Sequence, residues 1–535
     1  MTTSGPRFPL PTYTDLDQNQ IWLRMRELCA SVYPDLDLDS RAEIARLFLE
    51  GEAYTGDIIA DLMRRKGRES RWSHAEQRSN VLAALKMLDF RPSGATAATA
   101  EETFTLASPA AASVTIQAGE TVRTPEETDP VRFQLLEDLV IPAGTTAVTA
   151  TVEHSETIAE SYLSDGKPNQ RWRLQRGPYI DRSVTVSTTL GAWSEVKNFL
   201  ASTASDRHFM TSVDSQDRCT VIFGGGSNGL GSANGSVPLG QIDIGYKIGG
   251  GAAGKLGPGT LTVLDGSFAD ANGNTVRISV TNAEKTTGGE DRMSTARIKL
   301  LAPVSTRSPV SSVAREDYEI HALEIAGVGR ALHLTRNQDP SILPNEGFLY
   351  IVPTDGGVAG VPLLTTVASQ FGDEVTIAGQ AATVLPRGPY SKTVTYQLRV
   401  RGPSYKTVDV FARVWLRERT LPATARASIQ AALTSFFSVM IDARLLGSAT
   451  SGLVPNPRID FGFRLKDADG QPVGSLARSD LYNAVRDATG VLKIGPKPGD
   501  FLLNGIPDQD VVLAVREFPA LGTITLIDGK SGLQL

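Results

Sequence analysis

A glycine-rich stretch in the middle of the chain, YKIGGGAAGKLGPGT at residues 246–260, has residue types that could bind phosphate. Gly249 and Gly254-Lys255 have the spacing of a P-loop, where backbone N–H groups cradle phosphate and a Ser or Thr after the Lys binds Mg²⁺ at the start of a helix. Here Leu256 follows the Lys, and Gly-Pro-Gly comes next. Because Gly and interior Pro disfavour a helix by about 1 and 3 kcal/mol, the metal ligand and the helix are both missing. Nucleoside triphosphate hydrolysis is therefore not predicted.

A second glycine cluster, CTVIFGGGSNGLGS, contains G-x-G-x-x-G at Gly224, Gly226 and Gly229 after an expected strand. A dinucleotide site also requires a helix after the glycines and an acidic residue about 20 positions further on. Glycines, a proline and another strand follow instead, and Asp243 lies inside that strand. The cluster favours a long loop between β-strands over a cofactor site.

Metal ligands and catalytic nucleophiles lack the necessary spacing. The segment DANGNT, which starts at Asp270, has no Gly or Glu where a calcium loop requires them, and Asn272-Gly273 is typical of a hairpin turn. The five histidines are scattered, Cys29 and Cys219 have no metal-site spacing, and no Ser stands in G-x-S-x-G. The sequence therefore predicts no enzyme activity, no cofactor and no metal.

Length and composition indicate an ordinary globular chain of several domains. The chain has 535 residues, of which 41% are hydrophobic and 21% charged, and its net charge is −6. This balance gives no reason to expect nucleic acid or an anionic membrane as a partner. Two cysteines fit a reducing compartment, and no apolar run approaches the ~18 residues of a membrane span. The N-terminus lacks the basic and apolar regions of a secretion signal.

Residues 1–95 are predicted to form a helical arm. One apolar stripe with helical spacing contains Ile44, Leu47, Phe48, Ile58, Ile59 and Leu62. Two capping boxes are expected before helices, Ser40 with Glu43 and Ser73 with Glu76. A third helix, around QNQIWLRMRELCASVY, is expected to end before Pro34. Since such stripes must be buried, the helices form either a small bundle within the chain or a bundle shared with other chains.

The rest of the chain predicts an α+β multidomain protein. Residues 96–285 are rich in Thr, Val and Gly with alternating runs and turn signals every ~8–12 residues, which is typical of β-rich modules. Residues 286–400 predict an α+β domain with a helix that Pro303 ends, a second helix capped near Ser312, and then Gly327 leading into a strand.

Residues 401–535 predict a further α+β domain. VDVFARVWL places alternate residues on one face of a strand, namely Val408, Val410, Ala412, Val414 and Leu416. Helices are expected over ATARASIQAALTSFFSVM and RSDLYNAVRDATG, a turn at DADGQP, and a closing strand at LGTITLI.

Several motifs in order resemble the baseplate J-like proteins of contractile phage tails and related injection systems. The stretch from VIFGGG to GPGTL resembles the family's pattern of a strand, a glycine loop, a second strand and a second glycine turn. GGEDRMSTARIKLLAP, VAREDY and GVGRA match further family motifs with Gly288, Gly289, Arg297, Ala302, Pro303, Asp317, Tyr318, Gly327, Val328, Arg330 and Ala331. DFG at 460–462 and VREFPALGTITL also fit, so the resemblance covers roughly residues 100–535.

The resemblance implies a structural role for these motifs. The glycines at 249–254 are expected to form a turn between strands, and Tyr318 is expected to lie in the core on a helix that docks on a sheet. Gly327 is expected to turn the chain into the strand that carries Val328 and Leu332.

The resemblance also implies a place in the tail baseplate of a virion or related particle, assembled in the bacterial cytoplasm. Two copies of the chain would associate with each other and with a tail protein I-like wedge subunit. The C-terminal domain, 401–535, would join neighbouring wedges in a ring around the central hub and spike. The helical arm would then enter a bundle shared with wedge partners, near a lysozyme-like small wedge protein and the first sheath ring. The hypothesis is that the ring holds the tail in its extended state and rearranges to release the sheath.

An alternative from another functional class is a secreted or tail-associated adhesin that binds carbohydrate through the β-rich modules. Aromatic residues make up only 7% of the chain, whereas sugar-binding surfaces commonly expose Trp or Tyr clusters. A cell-wall hydrolase would require a carboxylate pair that the sequence does not offer.

Overall fold

The computed structural model describes residues 17–535 except 36, 41–42, 73, 86–89, 197, 200–201, 204–205, 226–236, 307–310, 373, 376–382, 387, 389, 394, 449–450 and 466–473. Within these residues the chain is a mixed α+β protein, as the sequence predicts. They form two compact units, one of residues up to 90 with 446–448, and one of 91–445 with 451–535.

Eight α-helices lie in the described part of the chain. They are α1 (Gln18–Val32), α2 (Ile44–Glu69), α3 (Arg78–Leu85), α4 (Thr295–Ser305), α5 (Arg315–Leu323), α6 (Val361–Phe371), α7 (Pro422–Phe437) and α8 (Arg478–Arg486). The helices predicted over residues of α1, α7 and α8 are confirmed, and α1 ends before Pro34 as expected.

The start of α2 differs from the prediction. Its N-cap is Glu43, without a side-chain cap bond, and the Glu43 N–H donates to the backbone carbonyl of Ser40 at 3.3 Å. Ser40 therefore belongs to a turn before the helix and is not the predicted N-cap. The second predicted box involves Ser73, which lies outside the described residues.

Residues 98–288 form mainly β-structure. The strands are β1 (Ala98–Leu106), β2 (Val114–Ile116), β3 (Thr121–Arg123), β4 (Arg132–Leu135), β5 (Leu139–Ile141), β6 (Ala147–Glu153), β7 (Ser155–Ser164), β8 (Arg171–Arg173), β9 (Thr185–Thr188), β10 (Gly191–Glu195), β11 (His208–Val213), β12 (Cys219–Phe223), β13 (Gly240–Gly249), β14 (Val263–Leu264), β15 (Phe268–Ala269), β16 (Thr275–Val276), β17 (Ile278–Asn282) and β18 (Thr287–Gly288).

Two seven-stranded sheets dominate this region. One has the order β14-β3-β4-β6-β1-β17, with β18 also paired to β1, and the other has the order β7-β13-β9-β10-β11-β12-β8. Alternation puts one side of each strand in a core; on β1 the inward apolar residues include Phe104 and Leu106. The DANGNT segment is a hairpin between β15 and β16, as predicted, with the Asp270 carboxylate accepting the N–H groups of Asn272 and Asn274.

Side chains bring the two ends of the second sheet together. The Tyr162 hydroxyl on β7 lies 3.3 Å from the carbonyl oxygen of Arg173 on β8. The Glu160 carboxylate accepts hydrogen bonds from the hydroxyls of Tyr162 and Tyr246 and from the N–H of Gln175. Because these contacts join edge strands β7 and β8, the sheet is curved into a barrel-like form.

Residues 311–528 contain two mixed sheets. The strands are β19 (Ser311–Ser312), β20 (Val328–Thr335), β21 (Glu346–Pro353), β22 (Glu374–Val375), β23 (Thr383–Val384), β24 (Ser391–Lys392), β25 (Gln397–Arg401), β26 (Ser404–Leu416), β27 (Met440–Asp442), β28 (Leu453–Pro455), β29 (Ser475–Leu476), β30 (Val491–Ile494), β31 (Phe501–Leu503), β32 (Ile506–Pro507), β33 (Val511–Val512) and β34 (Glu517–Asp528). The five-stranded orders are β20-β21-β25-β22-β23 and β30-β26-β31-β32, with β34 parallel to β26.

The predicted alternation on β26 is confirmed. Its inward residues Val408, Val410, Ala412 and Val414 are buried and Leu416 is half-buried, in a core that also contains α7 residues Ile429 and Leu433. The turn predicted at DADGQP lies outside the described residues.

Two predicted helix boundaries are wrong. Pro303 does not end α4, which continues to Ser305; since the proline removes only its own N–H, close to the end of the helix, the last turn survives. Ser312 does not cap α5, because it lies in β19 and the N-cap is Ala314. The cap comes from inside the helix, where the Asp317 carboxylate accepts the N–H groups of Val313 and Ala314 at 2.9 and 2.7 Å.

A carboxyl group interrupts the apolar side of β1. Glu102 is fully buried between Ala100 and Phe104, and neither of its carboxyl oxygens has a hydrogen-bond partner among the described residues. Burial without a partner disfavours the charged form. It raises the Glu102 pKa to about 8, so the carboxyl is mostly protonated at neutral pH.

We predict that wild type loses stability as pH rises because Glu102 must ionise, and that Glu102→Gln does not show this loss. Because the pKa of Glu102 is raised in the folded state, its contribution to the free energy of unfolding is complete below the ordinary pKa of 4.5. This contribution declines as pH rises towards about 8. The variant should be more stable than wild type by about 4 kcal/mol at pH 8 and similar to it near pH 4.5. Thermal unfolding across this range measures the difference. Glu101→Gln, on the exposed side of the same strand, is the control; identical pH profiles for Glu102→Gln and wild type would contradict the prediction.

Candidate functional site

The central glycine stretch forms a turn after β13 and does not have P-loop geometry. Gly249, Gly250 and Gly251 have positive φ angles of 104°, 71° and 83°, and a short 3-10 turn covers 252–254. No helix begins at Leu256. The turn that the resemblance implies is therefore confirmed; Gly226 and Gly229 of the other cluster lie outside the described residues.

Lys255 is held by carboxylates of the protein itself. Its Nζ lies 2.8 Å from Glu290 Oε1 and 2.5 Å from Asp355 Oδ2. Desolvation lowers the Lys255 pKa, but these two carboxylates outweigh it and the pKa is raised overall. The ammonium therefore links the glycine turn to the loop before α4 and the loop after β21.

The glycine turn after β13 and the Gly288-Gly289 pair both bind the segment just before β1. Gly251 N donates to Thr96 O at 2.9 Å and Gly289 N donates to Ala97 O at 3.1 Å. Gly288 and Gly289 have φ angles of 77° and 74°. A Cβ at Gly289 would lie 2.8 Å from the Ala98 Cβ. Close packing of these backbone segments explains the glycines at these positions.

Arg297 joins α4 to the turn between α5 and β20. Its guanidinium is buried and donates to the carbonyl oxygens of Leu323 and Val328 at 3.1 and 2.5 Å. Burial lowers the Arg297 pKa to about 10, opposed by Glu290. A cation held by carbonyl dipoles in the core is costly to leave without acceptors, so Arg297 fixes this turn. Gly327, with a φ of 88°, leads into Val328 there as the sequence predicts.

Tyr318 is a core residue, as expected. It lies on α5 with its ring centroid 4.5 Å from that of His333 and 5.5 Å from that of Phe371. His333 Nε2 lies 2.7 Å from the Tyr396 hydroxyl. Burial lowers the His333 pKa to about 4, with a smaller effect from Arg315, so the imidazole is neutral in the folded protein.

Arg330 connects β20 with a distant loop. Its guanidinium donates to the carbonyl oxygens of Asn456 and Ile459, and its Nη1 lies 3.5 Å from Asp460 Oδ2. Desolvation lowers the Arg330 pKa and Asp460 opposes this. Two segments of the resemblance, GVGRA and DFG, are therefore in contact.

A second ion pair at the same junction was missed by the sequence analysis. The buried Glu319 carboxylate accepts the backbone N–H of His333 at 2.9 Å and a hydrogen bond from Arg464. Burial raises the Glu319 pKa, while Arg464 opposes the shift. The sequence did offer a signal for Glu319, because this acidic residue directly follows the predicted core residue Tyr318. Its partner Arg464 lies 145 positions away, and no local pattern in the sequence indicates that pairing.

The first compact unit has a different feature, an apolar surface. The α2 stripe, which comprises Ile44, Leu47, Phe48, Ile58, Ile59 and Leu62, is 45% to 71% exposed. The opposite side of α2 carries the buried residues Ala53 and Ala60, and a Cβ at Gly56 would lie 3.0 Å from Ile21 of α1. Because α1 packs on the small residues, the large residues of α2 face solvent.

The barrel-like sheet carries a shallow depression of about 290 Å³ on its outer side. Its lining combines polar residues such as Ser161 and Asp243 with the apolar residues Val186 and Ile244, and contains no aromatic ring. Such a lining lacks the stacking surface on which sugar recognition commonly depends. Among the described residues, no group of three or more His, Cys, Asp or Glu could hold a metal ion, and no helix has the length and apolar character to span a membrane.

Removing the Arg297 guanidinium should destabilise the second unit. Arg297→Met keeps the aliphatic length but leaves two buried carbonyl oxygens without a donor, which should cost about 3 kcal/mol. Arg444→Met is the control, because its ion pair with Asp442 is exposed and such pairs contribute about 0–1 kcal/mol. Urea unfolding followed by circular dichroism measures both. Equal stabilities of the two variants would show that Arg297 does not hold the turn.

Acid should destabilise the layer around Tyr318 through His333. Because the pKa of His333 is lowered in the folded state, its contribution to the free energy of unfolding is complete above the ordinary pKa of 6.5. This contribution is lost as pH falls towards about 4. His333→Gln should therefore lose about 2 kcal/mol less than wild type between pH 7 and pH 5. Thermal unfolding at the two pH values gives the comparison, with His208→Gln on β11 as control. An unchanged acid response in His333→Gln would refute the assignment.

No protein-family model matches this chain, and no curated protein matches it. Among solved structures, the chain is similar to a chain in the cryo-EM structure of the anti-feeding prophage (AFP) baseplate, 6-fold symmetrised. The alignment covers 96% of this chain and 95% of that chain, at 10% sequence identity and a TM-score of 0.34. A TM-score of this size does not establish a common fold, and no family is assigned to the chain.

Proposed function

We propose that this protein is a structural, non-enzymatic wedge component of the baseplate of a contractile tail or related injection particle. The observation that carries the proposal is the α2 stripe, which the chain's own α1 leaves exposed. An exposed apolar surface of this extent is typical of a protein-protein interface. The motifs between residues 224 and 462, which occur in the same order as in the baseplate J-like family, favour the baseplate as the assembly concerned.

The contacts of the motif residues support a scaffold role. Arg297 and Arg330 donate to backbone carbonyl oxygens, and Lys255 is paired with two carboxylates. Gly288 and Gly289 allow close approach of two backbone segments. These residues hold segments of the chain together.

The proposed mechanism is mechanical. A second unit held by buried ion pairs would transmit force as a rigid body, while the arm supplies an interface that other chains can form or leave. In the extended tail, wedges would close a ring around the central hub and spike, using residues 401–535. After host contact, rearrangement of interfaces would open the ring and release the sheath.

The proposed partners are a second copy of the chain, a tail protein I-like wedge subunit, a lysozyme-like small wedge protein, neighbouring wedges and the sheath initiation ring. The α2 stripe would enter the bundle shared by the wedge proteins. The proposed location is the tail baseplate, assembled in the bacterial cytoplasm.

Charge on the α2 stripe should abolish particle assembly. Leu47→Glu with Ile58→Glu places two carboxylates where the proposal has a dry interface, so incorporation of the chain into baseplates should fall at least tenfold. Negative-stain images of particles from producing cells, with immunodetection of the chain, measure this. The isolated variant should keep the wild-type circular dichroism spectrum, because both residues are exposed in the free chain.

The matched control is Val358→Glu in the second unit, where the apolar Val358 is 87% exposed; this variant should assemble normally. Particles that form in normal numbers with the arm variant would contradict the interface. Particles that never contain the wild-type chain would contradict the baseplate role.

A further inference from the structure

Two arginine side chains of β25 lie beside one aromatic ring of β21. In the parallel pairing of these strands Phe348 is opposite Arg399, and the next pair on the same face is Tyr350 with Arg401. The guanidinium carbon atoms of Arg399 and Arg401 lie 6.0 and 4.3 Å from the ring centroid of Phe348. Arg399 donates to Glu346 at 2.9 Å, so its charge is neutralised within the sheet.

Arg401 differs from Arg399 because its charge has no counterion. Within the part of the chain that the structure describes, the half-buried Arg401 forms no hydrogen bond or ion pair. Its Nε atom is buried, whereas its two Nη atoms are accessible to solvent. The side chain is therefore held against the Phe348 ring while the outer edge of the guanidinium remains available to a ligand.

A second guanidinium approaches the same place from a distant segment. Arg516 is exposed in the turn before β34, and the Glu517 carboxylate fixes this turn by accepting the N–H of Ala514 at 2.8 Å. Burial raises the pKa of the Tyr350 hydroxyl, while Arg516 and, to a smaller extent, Arg401 oppose the shift. Both cations therefore lie near the Tyr350 hydroxyl.

The carboxylate beside these cations does not balance them. Asp339 also acts on the Tyr350 hydroxyl, but it accepts hydrogen bonds from the Ser341 hydroxyl and N–H at 2.6 and 3.0 Å. These bonds are the main cause of its lowered pKa, and Arg516 has a smaller effect. Two arginine charges thus face one carboxylate that is already hydrogen-bonded, which leaves an excess of positive charge.

We propose that Arg401 and Arg516, called here the arginine pair, bind an aspartate or glutamate side chain of an acidic segment in a partner protein. A guanidinium binds a carboxylate through two parallel hydrogen bonds. Because stacking on Phe348 already orients Arg401, little conformational entropy is lost on binding. The aromatic ring also offers an apolar contact to the methylene groups of an acidic side chain, which an inorganic anion lacks.

A peptide titration with the full-length protein tests this inference. The probe is hexaglutamate with blocked ends, and hexaglutamine of the same length is the uncharged comparison. Isothermal titration calorimetry in about 50 mM NaCl, where charge interactions are only partly screened, measures both. Wild type should bind hexaglutamate at least ~10-fold more tightly than hexaglutamine, and Arg516→Gln and Arg401→Gln should each weaken hexaglutamate binding by about tenfold.

Control variants separate the arginine pair from the overall charge and from folding. Arg132→Gln removes the same charge from an exposed position of β4 and should keep the wild-type affinity. Arg401→Lys keeps the charge but not the planar fork, so it should still bind at least ~3-fold more weakly than wild type. Circular dichroism checks the fold of each variant, and Arg516→Gln alters only an exposed side chain.

Three results would overturn the inference. Hexaglutamate that binds no better than hexaglutamine would show that the arginine pair does not recognise carboxylates. Equal losses in Arg516→Gln and Arg132→Gln would show attraction by the overall charge. Inorganic phosphate that displaces hexaglutamate at matched ionic strength, when sodium chloride does not, would indicate a site for small anions. None of these results depends on the baseplate role, because the probe is titrated into the isolated chain.

Discussion

A helix that is apolar on two sides cannot bury both against one partner helix, and this constraint governs the first compact unit. On α2 the small residues Ala53 and Ala60 are buried, while the large residues of the α2 stripe remain about half exposed. Fully burying one such side chain contributes about 1.5–3 kcal/mol. Covering the exposed surface that remains on the six side chains of the α2 stripe would therefore contribute on the order of 5–10 kcal/mol of stabilisation. That free energy is available only to an assembly.

In the second unit, by contrast, several buried charged groups find their partners within the chain. Arg297, Arg330 and the pair of Glu319 with Arg464 connect strands and helices to loops that are far apart in the sequence. Breaking such buried contacts is expensive, which favours a body that moves as a whole. Glu102 differs from these groups, because neither of its carboxyl oxygens has a hydrogen-bond partner among the described residues, and burial keeps it neutral by raising its pKa to about 8.

Periodicity in the sequence predicted the elements well and their ends poorly. The alternation in β26 and the helix at α7 depend on one-sided burial, which leaves a local pattern. The start of α5 depends on a carboxylate inside the helix, since Asp317 accepts the N–H groups of Val313 and Ala314, and α2 begins without a side-chain cap bond. Contacts between distant segments, such as Glu319 with Arg464, leave no local signal. Glu102 was missed because β-alternation alone does not exclude a carboxyl from an inward position.

The α2 stripe should be covered by other chains in the assembled particle and uncovered when the protein is alone. Hydroxyl-radical footprinting of Leu47, Phe48 and Leu62 in the purified chain and in the assembled particle measures this directly. We expect strong labelling of these side chains in the free protein and protection of at least ~10-fold in the particle. Equal labelling in both states would contradict it.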